Sequence, residues 1–346
     1  METRRNATLD YLKYISAVLV VYLHIALKAD GLQTINSIFR KAVWIVSPVE
    51  IFILITAFYF FKSTYDFKKK QFDDHAFAKG LKRYVDLYIA WTVINLPAAV
   101  LNTSNSGFLI CIFRILRGVF FSGVVGPLWY MLGIIYGLLL IKTLLAKTGE
   151  KGGLCISFGL FVLSLTGGSY YHLLDGISLI QKMIDLTLKV TVNFYLLRVP
   201  VFLMIGYFLA KYKADQRLMA FAFRQKLLMI CLFGAAAALL FIERDYAVSN
   251  NLGREYPTFI FGIVSASLLF SCALMIYIKG TGVSSFLGKS SAIIYFTHYE
   301  TKILSTFLFG VSDSWILWLA AIIIGMVLTA VLLRYKDQYK ALSYLI

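Results

Sequence analysis

The 346 residues are 60% hydrophobic and only 15% charged, well below the roughly 25% charged of soluble domains, so a soluble globule is excluded. The chain reads as an all-α, polytopic membrane protein, its apolar stretches of about twenty residues each spanning as a helix. The formal charge of +16 does not indicate a nucleic-acid partner, because the basic residues fall between apolar runs, where membrane topology accounts for them.

Ten transmembrane spans are predicted, over 9–29, 44–62, 82–101, 125–146, 152–168, 193–212, 226–243, 258–279, 289–309 and 313–334. The fifth is short and glycine-bearing, and 108–123 is an apolar extra expected as a re-entrant or surface helix. The first span shows no small-residue cleavage site, so no signal peptide is expected. Cys111, Cys155, Cys231 and Cys272 stand singly in apolar surroundings and read as packing residues. With the N-terminus cytoplasmic, Arg4, Arg5, the basics from Lys62 to Arg83, those at 142–151 and 211–226, Lys279, Lys289, Arg334, Lys336 and Lys340 all fall inside. Fewer basics fall outside, so both termini are expected in the cytoplasm. No piece between spans is long enough for its own core, and 1–346 is expected as one transmembrane domain with no soluble domain.

The first span, LDYLKYISAVLVVYLHIALKA, carries Lys13 and, eleven positions on, His24. At 100° per residue the two share a face, roughly 16 Å apart along the axis. Ionisable residues at such depth mark function by default; the alternative is a snorkelling lysine and a packing histidine. The second span carries Glu50, in SPVEIFILITAFYFF, at nearly the depth of His24. Consecutive helices are usually neighbours, so a His24–Glu50 pair is expected, with Glu50 orienting the imidazole. The other readings leave Glu50 neutral or give it to Arg40 or Lys41.

Lys82 and Arg83 open the third span with Asp86 beyond them, suited to binding phosphates, whereas Lys68–Lys70 read as topological charge or an anionic-lipid contact. Arg114 and Arg117 precede the fourth span, which opens with Trp129, and Arg198 opens the sixth. The ninth holds His298, Glu300 and Lys302, three polar residues that imply a polar cavity. His75 and His172 lie in hydrophilic loops. No helix carries a His-x-x-x-His spacing, so no metal is expected.

These features resemble the acyltransferase-3 family of integral-membrane acyltransferases. The first span matches its basic-x10-His signature through Lys13 and His24, and Val49-Glu50-Ile51-Phe52 resembles its second-helix acidic run, with Thr56-Ala57 in place of Ser-Gly. Arg83 falls on the second arginine of its Arg-x-x-Arg, Gly80 being a departure at the first. Leu128-Trp129-Tyr130 is similar to its Leu-Trp-Phe, the stretch from Arg198 to Gly206 to another family segment, and Leu287 to His298 to its Leu-Gly-x-x-Ser-x-x-x-Tyr-x-x-His.

The resemblance implies O-acyl transfer, of acetyl or a similar group, from cytoplasmic acyl-CoA to a hydroxyl of a cell-envelope glycan or lipid-linked acceptor, in a bacterial cytoplasmic membrane. Lys13, Lys82 and Arg83 would hold the phosphates of the donor. His24 would be the general base, oriented by Glu50, with His298 joining them, either directly or through an acyl-histidine. Arg198, Arg117, Trp129 and Glu300 would face the acceptor. The rival reading is a transporter or flippase of lipid-linked sugars using the same cavity.

Overall fold

The computed structural model describes residues 6–103, 107–191, 195–254, 258–339 and 345. Arg4, Arg5 and Lys340, part of the expected inner charge, lie outside the described residues. The chain is almost wholly helical. Helix α1 (Ala7–Val21) continues through a π-helical turn, Tyr22–Ala26. Helices α2 (Gln33–Val46) and α3 (Pro48–Thr64) meet at Ser47, whose φ of 47° swings the chain into a new axis. The second span thus starts at Pro48 rather than 44, proline at the first helical position having no N–H to leave unbonded. A short antiparallel hairpin, β1 (Tyr65–Asp66) and β2 (Gln71–Phe72), leads into α4 (Asp74–Thr103), which starts eight residues before the expected third span and takes His75, Lys82 and Arg83 into its first turns.

Helix α5 (Phe108–Arg117) lies on the surface, with Phe108 and Leu109 each 78% exposed. Helix α6 (Trp129–Thr166) covers the fourth and fifth expected spans and is broken at Gly149, whose φ of 68° and ψ of −172° suit only glycine. There follow α7 (Ser178–Thr191), α8 (Tyr195–Lys211), α9 (Ala214–Met219), α10 (Phe223–Ser249), α11 (Ile260–Met275), α12 (Gly282–Phe309) and α13 (Trp315–Tyr335).

A helix overlies every one of the ten expected spans, but among the described residues length and apolarity single out six stretches able to cross a membrane. These are Ala7–Ala26, Gln33–Thr64, Asp74–Leu101, Phe108–Thr166, Phe223–Ser249 and Trp315–Tyr335. Helix α11, of 16 residues, falls short of the roughly twenty that a bilayer core asks for. Helix α12 is long enough at 28 residues but is diluted by Lys289, His298, Glu300 and Lys302.

Helix α1 packs against α3, α12 and α13, while α3 packs against α8 and α8 against α6. Helix α8 lies hard against α3: a Cβ on Gly206 would stand 3.0 Å from the Phe58 amide nitrogen and closer still to the Ala57 methyl. Small residues at such crossings let backbones approach where lipid offers no hydrophobic drive. The bundle then has two distinct ends. His24 at the end of α1, Glu50 at the start of α3, Trp129 at the start of α6 and Arg198 near the start of α8 gather at the histidine end. The opposite, hairpin end holds Lys62–Asp215, Lys142–Asp74 (2.7 Å) and Lys211–Glu150 (2.6 Å). At the hairpin tip the Asp66 carboxylate accepts the amides of Lys69 and Lys68, which hold its pKa below the ordinary value.

Candidate active site

The sequence places His24 in a helix that changes pitch at that point. Leu27 N–H reaches back five residues to the Tyr22 carbonyl (2.9 Å), so His24 sits inside a π turn. Such turns re-aim one side chain and recur at functional sites. The His24 ring faces that of His298 on α12, with centroids 5.1 Å apart and planes inclined at 34°. Tyr299 meets His24 edge-on at 6.1 Å.

His298 is fully buried, and its Nδ1 lies 2.7 Å from the Tyr295 carbonyl oxygen. A carbonyl can only accept, so Nδ1 carries the proton and, in the neutral ring, Nε2 is the bare nitrogen. That Nε2 is buried and has no hydrogen-bond partner among the described residues. Leaving a buried acceptor unmade costs on the order of 1–3 kcal/mol, so an unpartnered ring nitrogen beside a second imidazole is the feature of this site that asks for an explanation.

The expected His24–Glu50 pair does not form. Glu50 instead lies 3.6 Å from Arg198 Nη1, both side chains being more than nine-tenths buried. Helix α1 does touch α3, as expected, but Glu50 sits in the first turn of α3 on the side turned to α8. Nor is Glu50 bound to Arg40 or Lys41. The Arg198 guanidinium in turn lies over the Trp129 ring, 4.8 Å from its centre. This cluster borders a cavity of about 190 Å³, lined also by Leu23, Trp44 and Phe259. Leu23 precedes His24, so the cavity and the histidine pair share the same π turn.

Tyr295 ties the two clusters together. Its carbonyl holds His298, its hydroxyl donates to the Pro127 carbonyl (2.9 Å) two residues before Trp129, and its ring packs on Phe52 two residues after Glu50. The family-like motif contained this tyrosine, yet as a site residue it was missed, while Lys302 was read as part of a polar cavity and given no role of its own. The signal for Lys302 was a charged residue one helical turn beyond His298 in an apolar run.

Other expected site residues stand apart. Lys13 Nζ lies 6.0 Å from the Tyr59 ring centre, towards the hairpin end. Lys82 pairs with Asp86 at 2.5 Å, and Arg83 is exposed on α4 with no ion pair among the described residues. Arg117 is half-buried on α5. Glu300 lies on α12 with one carboxylate oxygen buried and without a hydrogen-bond partner among the described residues. Among the described residues no three His, Cys, Asp or Glu side chains gather as metal ligands do.

Among known families, residues 6–335 match the Acyl_transf_3 model, described as an acyltransferase domain. More distant relatives are two proteins named amino-acid racemase, both of Enterococcus faecalis. One is 26% identical over 186 residues, which is 53% of this chain and 25% of the relative. The other is 25% identical over 286 residues, 80% of this chain and 37% of the relative. A protein named serine/alanine racemase, of Enterococcus gallinarum, is 26% identical over 182 residues, 49% of this chain and 24% of the relative. The chain thus spans well under half the length of these relatives. No solved structure matches it.

Proposed function

We propose a specific reaction for a chain that belongs to the acyltransferase-3 family and is a membrane acyltransferase: transfer of an acyl group, acetyl in the simplest case, from coenzyme A on the cytoplasmic side to a hydroxyl of a cell-envelope glycan or lipid-linked acceptor. The observation that carries this reading is the bare, buried Nε2 of His298 beside the His24 ring. In this scheme one imidazole of the pair takes the acceptor hydroxyl's proton as its oxygen attacks the thioester carbon. The ester C–O bond forms, the C–S bond breaks, and the proton ends on the departing thiolate. General-base help of this kind contributes about 10²–10⁴ in rate.

The hairpin end is the cytoplasmic one in this reading, in line with its load of lysines. Arg83, which is exposed, and Lys82 and Lys13 would meet the donor's phosphates there. The acceptor would enter the cavity at the histidine end, where Glu50 and Arg198 balance each other's charge and the Trp44 and Phe259 rings form walls. A compensated pair favours a neutral, hydroxyl-rich ligand over an anion, which would have to meet the Glu50 carboxylate. Thiol release from acetyl-CoA by the purified protein in detergent tests the reading. Wild-type turnover that vanishes in His298→Ala is the expected result; full turnover in both His24→Ala and His298→Ala would remove the pair from the chemistry.

A second reading, passage of a substrate through the same cavity, has one observation in its favour. The Glu50–Arg198 pair offers complementary partners for the ammonium and carboxylate of an amino acid, and the curated relatives are named as racemases of amino acids. Uptake of labelled L-serine into proteoliposomes without acyl-CoA, lost in Arg198→Met, would favour it.

A further inference from the structure

We infer that Lys302, held by Asp313, is a positioning residue that sets the His24 ring against His298; this rests on the reading of that pair as the catalytic base. The argument starts from the backbone. A helix leaves its last four carbonyls without intrahelical donors, and the π turn at Tyr22–Ala26 ends α1 in the very residues that carry His24. Two of those orphan carbonyls are satisfied from α12 and from the connection that follows it to α13. The His24 carbonyl accepts from Lys302 Nζ at 2.6 Å, and the Ile25 carbonyl accepts from the Ser314 amide at 3.0 Å.

Lys302 is itself fixed. Its Nζ lies 3.2 Å from Asp313 Oδ1, while Asp313 Oδ2 accepts from Ser312 Oγ at 2.8 Å. Thr306 Oγ1 donates to the Lys302 carbonyl at 2.9 Å, one turn further along α12. A cation at a helix C-terminus is also favoured by the dipole, most strongly where it is partly buried, as here.

The consequence for the site is geometric. Lys302 lies four residues after His298, on the same face of the same helix. Helix α12 therefore holds α1 at two points one turn apart, ring against ring and ammonium on carbonyl. A π turn with its end carbonyls free would rotate readily, and the ring spacing of 5.1 Å depends on that rotation. Without the ammonium, His24 swings while His298, locked by the Tyr295 carbonyl, stays in place. Misplacement of a catalytic group by about 1 Å can cost on the order of 10²-fold in rate.

The test is acetyl-CoA turnover by the purified full chain, read as kcat and donor KM, for Lys302→Met, Lys302→Arg and Asp313→Asn. Expected for Lys302→Met is a kcat loss of about 10–100-fold with donor KM nearly unchanged. Lys302→Arg, which still donates to the His24 carbonyl, should recover most of the loss, and Asp313→Asn should show a smaller one. In a His24→Ala background Lys302→Met should cost nothing further. A wild-type kcat in Lys302→Met, no recovery with arginine, or an equal loss without His24 would overturn the assignment. Should Lys302→Met fail to fold, the arginine and Asp313→Asn variants decide the matter by the same criteria. A second readout does not need turnover: carbethoxylation by diethyl pyrocarbonate, followed by mass spectrometry. His24 should react several-fold faster in Lys302→Met with His298 unaltered, and equal His24 rates would sink the clamp. Loss of all turnover from the wild type, with the carbethoxylation difference intact, would instead count against the acyltransfer scheme alone.

Discussion

The two ends of the bundle use the same residue types in opposite ways. At the hairpin end, cations and carboxylates meet in partly exposed pairs such as Lys62–Asp215, or within one helix turn, as Lys82–Asp86. At the histidine end, Glu50–Arg198 and His24–His298 are drawn from four different helices, and nearly every member is buried. The difference is one of dielectric. Exposed pairs are solvated with or without each other and contribute about 0–1 kcal/mol, whereas a buried charge depends on its partner for existence. In the proposed scheme, charge at the first end guides ligand approach; charge at the second can be afforded only where the fold holds it in place.

The largest effect should come from the histidines. His24→Ala and His298→Ala should each lower acyl transfer by about 10²–10⁴, and the double variant should be scarcely worse than the poorer single, because residues acting as a unit are non-additive. Multiplying losses in a thiol-release assay would mean that the two rings act separately.

Next comes the buried ion pair. Arg198→Ala or Glu50→Ala should destabilise the protein by about 3–5 kcal/mol, while the double change Glu50→Gln with Arg198→Met should regain much of that. Thermal unfolding in detergent reads the difference, and equal melting points for singles and double would break the proposed contrast with the hairpin end. Transfer activity should stay low in the double variant, since its cavity has lost both charges and the guanidinium donors of Arg198.

A packing change should fall in between. Gly206→Leu forces α8 away from Ala57 and Phe58, at about 1–3 kcal/mol, and drags Arg198 with it. An acceptor KM raised together with a lowered melting point is the expected signature.

At the hairpin end the effects should be small. Arg83→Ala should raise donor KM about fivefold, worth ~1 kcal/mol, and leave kcat in place. A lowered kcat at saturating donor would move Arg83 into the chemistry. Asp215→Asn, which removes the half-buried partner of the exposed Lys62, should lower stability by about 1 kcal/mol, and by less in high salt.

Much of this was legible in the chain alone. Apolar runs of about twenty residues force helices in lipid, so a helix stands wherever a span was expected, and the fourth and fifth were rightly parted near Gly149. Lys13, His24 and His298 stood out because a charge or an imidazole in such a run needs a reason. What the chain could not reveal was rotation about the helix axes. Glu50 and His24 were placed at similar depth on touching helices, yet α2 and the Ser47 turn intervene and present Glu50 to α8. The π turn that aims His24 and the orphan carbonyls that Lys302 and Ser314 satisfy have no residue pattern of their own. Composition sets how much of a helix must be buried, since that follows from transfer free energies summed along it. Which side meets which neighbour depends on contacts between residues hundreds of positions apart, such as His24 and Lys302, and those exist only once the helices have packed.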